Sequence, residues 1–236
     1  MTTIQLPTAM EVDLVDADGY DFYREIHKGI RYALFTTTIA AGRLDVDDTD
    51  DVEALLQAHG DVLHLLHAHH EHEDVFIQPL VETHAPALAL EVRVQHAAVE
   101  VGMSRLEGLG ARLGRVAAPG RRGVALNLYL DLSRLTSEYL AHQLVEETTV
   151  MPALRAAVPT EELLALDMEL RRTIPPEEMV AAMRQMLPAM NVEERVDMLG
   201  GMAMAPPEVF AVFRDAAQQI LPADEWAPVA RRIGLV

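Results

Sequence analysis

The sequence contains no cysteine, which excludes disulfides, thiolate catalysis, zinc–thiolate fingers and cysteine-ligated iron–sulfur clusters. Any bound metal would therefore be held by His, Asp, Glu or water. Basic residues are also scarce: 19 Lys and Arg face 37 Asp and Glu, which gives a formal net charge of -18. Because this charge repels phosphate backbones and anionic lipids, we expect neither a nucleic-acid partner nor a membrane partner.

Long apolar runs and a basic N-terminal leader are missing as well. The longest apolar stretches, such as 33–41, fall well short of the roughly 20 residues that cross a bilayer. The first basic residue is Arg24, and four acidic residues precede it between positions 11 and 18. The positive start of a signal peptide is therefore absent, and we expect a cytoplasmic protein.

Helical periodicity dominates the chain, and strand-like alternation is almost absent. The first amphipathic segment covers about 20–42, and the second follows the acidic run 45–51 and ends near Thr83. The third extends from about Pro86 to Gly110 or Gly114. A loop at 119–123 then leads to the fourth, at about 124–157. This pattern predicts an all-α protein with an up-down-up-down four-helix bundle over residues 15–157.

From residue 160 the composition changes. Prolines divide 160–236 into short helices of about two to four turns, and eight of the 12 methionines lie in this part. Asn191 and Glu194 have the spacing of an N-cap and its partner three residues later. We expect a helical C-terminal extension with a methionine stripe at 179, 183, 186 and 190. The stripe would either pack as core or dock a partner or a second subunit, giving a homo-oligomer.

Polar residues occupy the middle of the predicted inward faces. Three helices carry H-x-x-x-E and the first carries a histidine at the same depth, giving His27, His69, Glu73, His96, Glu100, His142 and Glu146. Residues four apart lie on the same side of a helix, so both members of each pair point inward. Burying so many ionisable groups together would unfold a bundle unless cations neutralised them. Imidazole and carboxylate donors without sulfur suit iron, manganese or zinc.

The order of these motifs resembles the hemerythrin-like (HHE cation-binding) proteins. HHEHEDVFIQP (69–79) and HQLVEETTVMP (142–152) are similar to that family's H-x-x-x-E-[ED]-x-x-x-x-P segments. The Glu-x-x-His spacing of ferritin-like bundles is absent. The resemblance implies two iron ions, one bound by His27 and His69 and the other by His96 and His142. Glu73 and Glu146 would bridge them.

Two departures from the oxygen carriers of that family affect the expected function. The carriers have a fifth histidine where this chain has Glu100, and an Asp five residues after the last histidine, where it has Glu147. We assign Glu146 as the bridge, because Glu147 points about 140° away from His142, and Glu147 becomes a supporting or surface acid.

A carboxylate ligand at position 100 favours ferric iron. We therefore expect catalase- or peroxidase-like turnover of peroxide, or a response to O2, NO or redox state, rather than reversible O2 carriage. The alternative is a non-enzymatic iron store, donor or sensor.

The other histidines have simpler interpretations. We expect His59 to be a core residue. Five more fall off the inward stripe and are expected on a solvated face: His64, His67, His70, His72 and His84. Tyr23 and Tyr139 each lie one turn before a predicted ligand, and they are either core aromatics or hydrogen-bond donors near the metals.

Overall fold

The computed structural model describes residues 19–235, and every regular element within that range is a helix. This confirms the predicted all-α class. Residues 15–18 of the expected first domain, and the acidic stretch before them, lie outside the described residues. None of the helices between 19 and 235 combines the length and the apolar content that crossing a membrane requires.

Residues 19–158 contain six α-helices: α1 (Arg24–Arg43), α2 (Thr49–His72), α3 (Gln78–His84), α4 (Pro86–Leu113), α5 (Ala118–Val145) and α6 (Met151–Ala157). α2 continues into α3, and α5 into α6, through π-helical turns at Glu73–Ile77 and Glu146–Val150. These two wider turns fall in the two sequence segments that resemble each other.

Two helix starts differ from the sequence-based expectation. α1 begins at Arg24 rather than near Tyr20, because the Asp21 carboxylate accepts hydrogen bonds from the amides of Tyr23 and Arg24 and so ends the preceding segment. The expected loop at 119–123 is instead the first part of α5. Pro119 lies in the first turn, where a helix needs no backbone N–H donor.

Between these helices, a layer of buried polar residues (the polar level) lies between two apolar layers. α1 packs against α2 and α5, and α4 packs against the same two helices. One layer includes Leu66 and Leu135, and the other includes Ile77, Val92 and Val150. The polar residues of the candidate site fall between these layers along each helix.

The C-terminal part contains five shorter helices: α7 (Thr160–Thr173), α8 (Pro176–Ala189), α9 (Val192–Met202), α10 (Pro207–Ile220) and α11 (Ala223–Arg232). α8 to α11 share an apolar cluster of their own, in which Met183, Met186 and Met190 are buried, whereas Leu163 of α7 packs with Val92 and Val150. The methionine stripe is therefore core. α8 also packs against α1, and Asn191 and Glu194 form the predicted capping box at the start of α9.

Candidate metal centre

Six of the seven predicted ligands converge at the polar level. They are 0–7% exposed, and they come from α1, α2, α4 and α5 and from the first residues of the two π-helical turns: His27, His69, Glu73, His96, His142 and Glu146. A layer of ionisable groups this deeply buried is costly unless the groups are paired or bind metal.

The donor atoms form two groups that share Glu73. The first donor group consists of His27, His69, Glu73 and Glu146, and the second consists of His70, Glu73, His96 and His142. Within each group the donor atoms all lie within 4.8 Å of one another. Two adjacent groups with a common carboxylate have the composition of a two-metal site.

The Glu73 carboxylate faces both groups. Its Oε1 lies 3.0 Å from His69 Nε2 and 3.9 Å from His27 Nε2, and its Oε2 lies 3.6 Å from His96 Nε2. Donor atoms about 2.0–2.2 Å from one cation and at right angles would be about 3 Å apart. Oε1 of Glu73 therefore faces the first donor group and Oε2 faces the second, which is what a bridging carboxylate requires.

Glu146 has the same two-sided position. Its Oε2 lies 3.4 Å from His27 Nε2, and its Oε1 lies 3.3 Å from His142 Nε2 and 3.7 Å from His96 Nε2. Glu146 therefore also presents one oxygen toward each side, and it is Glu146 rather than Glu147 that enters a donor group.

Three of the imidazoles are oriented through their outer nitrogen. The Nδ1 atoms lie 3.0 Å from oxygen acceptors of neighbouring helices or turns, in the pairs His27–Glu147, His96–Asp74 and His142–Gln95. When Nδ1–H donates to such an acceptor, the Nε2 lone pair points toward the centre of the site. Metal-binding histidines are held in this way.

Glu147 holds His27 from outside the donor groups. Arg31 donates two hydrogen bonds to its carboxylate, at 2.7 and 2.8 Å. Burial alone would raise the pKa of Glu147, but the hydrogen bonds from His27 and Arg31 lower it to about 2. Glu147 is therefore an anion at neutral pH, and it fixes the orientation of His27.

Several central atoms are buried without a hydrogen-bond partner among the described residues. They include both oxygens of Glu73, Oε2 of Glu146, and Nε2 of His96 and His142. Each such atom costs about 1–3 kcal/mol. Burial, and then the charge of Glu73, raise the pKa of Glu146, while burial lowers the pKa of His142 to about 3. A neutral imidazole at His142, facing carboxylate oxygens that lack donors, suits a bound cation.

Comparison of the chain with protein-family models, curated proteins and solved structures finds no match. What the site binds is therefore inferred from its own geometry and from the sequence motifs.

His70 belongs to the site, contrary to the expectation of a solvated face. It is 4% exposed, its ring centroid lies 3.9 Å from that of His96, and burial lowers its pKa to about 4. α2 buries neighbouring residues in pairs, at 62–63, 65–66 and 69–70, because it packs against both α1 and α4. The sequence already contains these pairs of adjacent residues, and they could have predicted that His70 is buried. The sequence-based prediction assumed a single inward stripe on α2 and therefore missed it.

Glu100 is exposed and belongs to neither donor group, which corrects its assignment as a ligand. The buried face of α4 includes His96, Val99, Gly102 and Met103. Glu100 lies about 40° beyond His96 on the side away from Val99 and Gly102. The i,i+4 spacing placed it near the ligand face, but the buried face of α4 ends at His96.

The aromatic residues next to the ligands are buried. The Tyr23 ring stacks on His27 with centroids 5.1 Å apart, and Tyr139 meets His142 edge-on at 5.7 Å. The Tyr139 hydroxyl has no hydrogen-bond partner among the described residues. Burial, and then the charges of Glu73 and Glu146, raise the pKa of Tyr139, so its hydroxyl stays protonated and can donate.

The remaining histidines lie away from the donor groups. His59 is a buried core residue, as expected, and its ring packs so closely on Gly110 that a Cβ there would lie 2.6 Å from it. His64, His67 and His84 are exposed and His72 is half-buried.

Proposed function

We propose that this chain is a non-haem di-iron protein of the hemerythrin-like type, which binds O2 or peroxide at a carboxylate-bridged iron pair. In this proposal α1, α2–α3, α4 and α5–α6 form an antiparallel four-helix bundle with one iron in each donor group. The observation that carries it is the position of Glu73 and Glu146, each with one oxygen toward either side. Histidine and carboxylate donors suit iron, with manganese and zinc as competing metals.

The two donor groups are unequal, which indicates where a small ligand would bind. Both groups contain Glu73, and Glu146 of the first group also faces the histidines of the second, but the first group has two imidazoles and the second has three, because His70 joins His96 and His142. A metal in the first group, with His27 and His69, would thus have one protein ligand fewer and could bind an exogenous ligand instead. A bound metal pair supplies an open coordination position and the electrons with which O2 or peroxide reacts.

Two further contacts support the ligands of the site. The Tyr139 hydroxyl, kept protonated by burial and by the two central carboxylates, is a hydrogen-bond donor inside the site. The ion pair of Glu147 with Arg31 keeps His27 in its ligand orientation. These residues position a small ligand and its proton without themselves reacting.

The sequence-based argument against reversible O2 carriage does not apply to this structure. It assumed Glu100 as a carboxylate ligand, but Glu100 is exposed and an imidazole, His70, occupies the second group instead. Peroxide turnover and reversible O2 binding are therefore two forms of the same proposed function.

A role in iron storage or delivery is less well supported. The ligands are at most 7% exposed, and hydrogen bonds to Glu147, Asp74 and Gln95 hold three of the imidazoles in place. Such burial favours a resident cofactor over a cargo.

Elemental analysis of the purified full-length protein is the primary test. We expect two iron ions per chain and the near-ultraviolet absorption of a bridged ferric pair. His142→Ala should lose both, whereas the matched variant His84→Ala, at an exposed histidine, should keep them. Unchanged iron content in His142→Ala would refute the assignment.

Two assays then separate the forms of the function. Oxygen evolution after addition of hydrogen peroxide, absent in His142→Ala, would show turnover. An absorption band that forms in air and disappears fully on degassing would show reversible O2 binding. A metal-replete protein that contains no iron would contradict the proposal.

A further inference from the structure

A cavity of about 480 Å³ lies beside the candidate metal centre, between α1, α2 and the C-terminal helices α7 and α8. Its wall is mostly apolar and includes Ile26, Leu65 and Met179. His69 and Glu73 of the first donor group also form part of this wall. Sites for small organic molecules have volumes of about 300–1,000 Å³ and mostly apolar walls with a few polar groups.

The C-terminal extension forms the outer side of this cavity. α8 packs against α1, where Met186 contacts Gly29 so closely that no side chain would fit there. Arg171 of α7 pairs with Asp167 at 2.7 Å and with Glu25 of α1 at 3.8 Å. Because these contacts hold α7 and α8 over α1, the extension encloses a space beside the metal site.

The polar part of the wall is predominantly acidic. Besides Glu73, four carboxylates and two guanidinium groups line the cavity: Glu25, Asp61, Asp167, Glu178, Arg171 and Arg184. Arg171 is already neutralised by Asp167 and Glu25. Between residues 19 and 235, Asp61 has a hydrogen bond only from Gln57 Nε2, at 2.8 Å, and Glu178 has no basic partner. With Arg171 and Arg184 both counted, the lining holds five carboxylates, including Glu73, against two guanidinium groups, and this excess of negative charge favours a cationic group over an anionic one.

We propose that this cavity binds an apolar chain with a cationic amino group at one end, its amine beside Asp61 and its chain extending along α2. Asp61 precedes His69 by eight residues, which is about 12 Å along the helix axis. The far end of such a chain therefore reaches His69 and Glu73. The cavity and its recognition of an amine do not depend on a metal, and only the approach of the chain to an iron pair rests on the proposed function.

Three probes of equal chain length test the charge preference: decylammonium, decanol and decanoate, each below its micelle concentration. Isothermal titration calorimetry on the full-length protein should show tightest binding for decylammonium, by about two- to fivefold over decanol, as expected for one partly solvated ion pair. Decanoate should bind most weakly. Asp61→Asn keeps an acceptor for Gln57 but removes the charge, and it should reduce the affinity for decylammonium to that for decanol.

A second variant tests the location. Ala181 is exposed and lines the cavity, so Ala181→Phe should occupy the space and weaken all three probes at least fivefold. The matched control Ala111→Phe, at an exposed alanine of α4, should leave the affinities unchanged.

The outcomes separate this proposal from the proposed function. Binding of decylammonium that survives removal of metal by a chelator and is lost in Ala181→Phe would support the cavity proposal even if the protein proved to contain no iron. Decanoate binding as tight as decylammonium, unchanged binding in Ala181→Phe, or no binding of any probe would overturn it.

Discussion

Replacement of His70 by leucine should have opposite effects on the metal-free and the metal-loaded protein. His70 is 4% exposed, and neither ring nitrogen has a hydrogen-bond partner among the described residues. Leucine fills a similar volume without polar atoms. In the metal-free protein, His70→Leu should therefore raise the free energy of unfolding by about 1–3 kcal/mol, the cost of an unpaired buried polar group. In the loaded protein it removes a donor and should weaken metal binding by at least about tenfold.

The stability gain should also depend on pH. Burial lowers the pKa of His70 from its usual 6.5 to about 4, so between these values the unfolded chain binds a proton that the folded chain does not. The contribution of His70 to stability then falls by about 1.4 kcal/mol for each unit by which the pH falls. The advantage of His70→Leu in metal-free protein should grow from pH 6.5 to about 4 and then level off.

Urea unfolding of chelator-treated protein, followed by circular dichroism, measures the first effect, and competition with a chelator measures metal affinity. Glu100→Gln is the matched control, because Glu100 is exposed and outside both donor groups. It should behave as the wild type in both assays. If Glu100→Gln lost metal while His70→Leu kept two ions at unchanged affinity, the ligand assignment from the structure would be wrong.

Three further predictions, two of them with a control variant, concern the packing of the helices and the support of the ligands. Gly29→Ala would place a Cβ 2.7 Å from Met186 Cγ and 3.1 Å from its Cα. It should destabilise the protein to urea by about 1–3 kcal/mol, whereas Gly60→Ala, with open space around it, should stabilise it by about 0.5–1 kcal/mol. Asp74→Ala removes the acceptor for His96 Nδ1 and should lower metal affinity about 10- to 100-fold in chelator competition, with a smaller loss in Asp74→Asn. Arg195→Met breaks the bonds to the Leu187 carbonyl and to Glu225, and it should speed proteolysis of the C-terminal helices without changing the metal content.

The sequence was sufficient to locate most of the candidate site because helical spacing carries directional information. Histidine and glutamate four residues apart must share a face, and this placed His69, Glu73, His142 and Glu146 together. The same rule failed for Glu100, because the spacing does not define where the buried face of a helix ends. That limit depends on which helices pack on either side, which is information that comes only from the tertiary structure.

The supporting role of Asp74 could not be predicted because the helices change pitch at the site. In each π-helical turn the amide of a later residue donates to a carbonyl five residues back, from Gln78 to Glu73 and from Met151 to Glu146. The next residue in each case is a proline, which lacks an N–H and clashes with the carbonyl four residues earlier in an ordinary helix. Patterns read at a constant 3.6 residues per turn miss this widening, and they therefore do not place Asp74 beside His96, whose Nδ1 lies 3.0 Å from the Asp74 carboxylate.

The two wide turns give α2–α3 and α5–α6 a common motif, and one of the buried positions at which the two copies differ lies beside the candidate site. Where the first copy has His70, the second has Gln143, which is 0% exposed and whose amide has no partner among the described residues. An amide is a much poorer donor to iron than an imidazole. In the proposed di-iron site, this one difference gives the two halves unequal numbers of imidazoles. If that proposal is right, exchanging these two residues should move the additional imidazole, and with it the open position, from one half to the other.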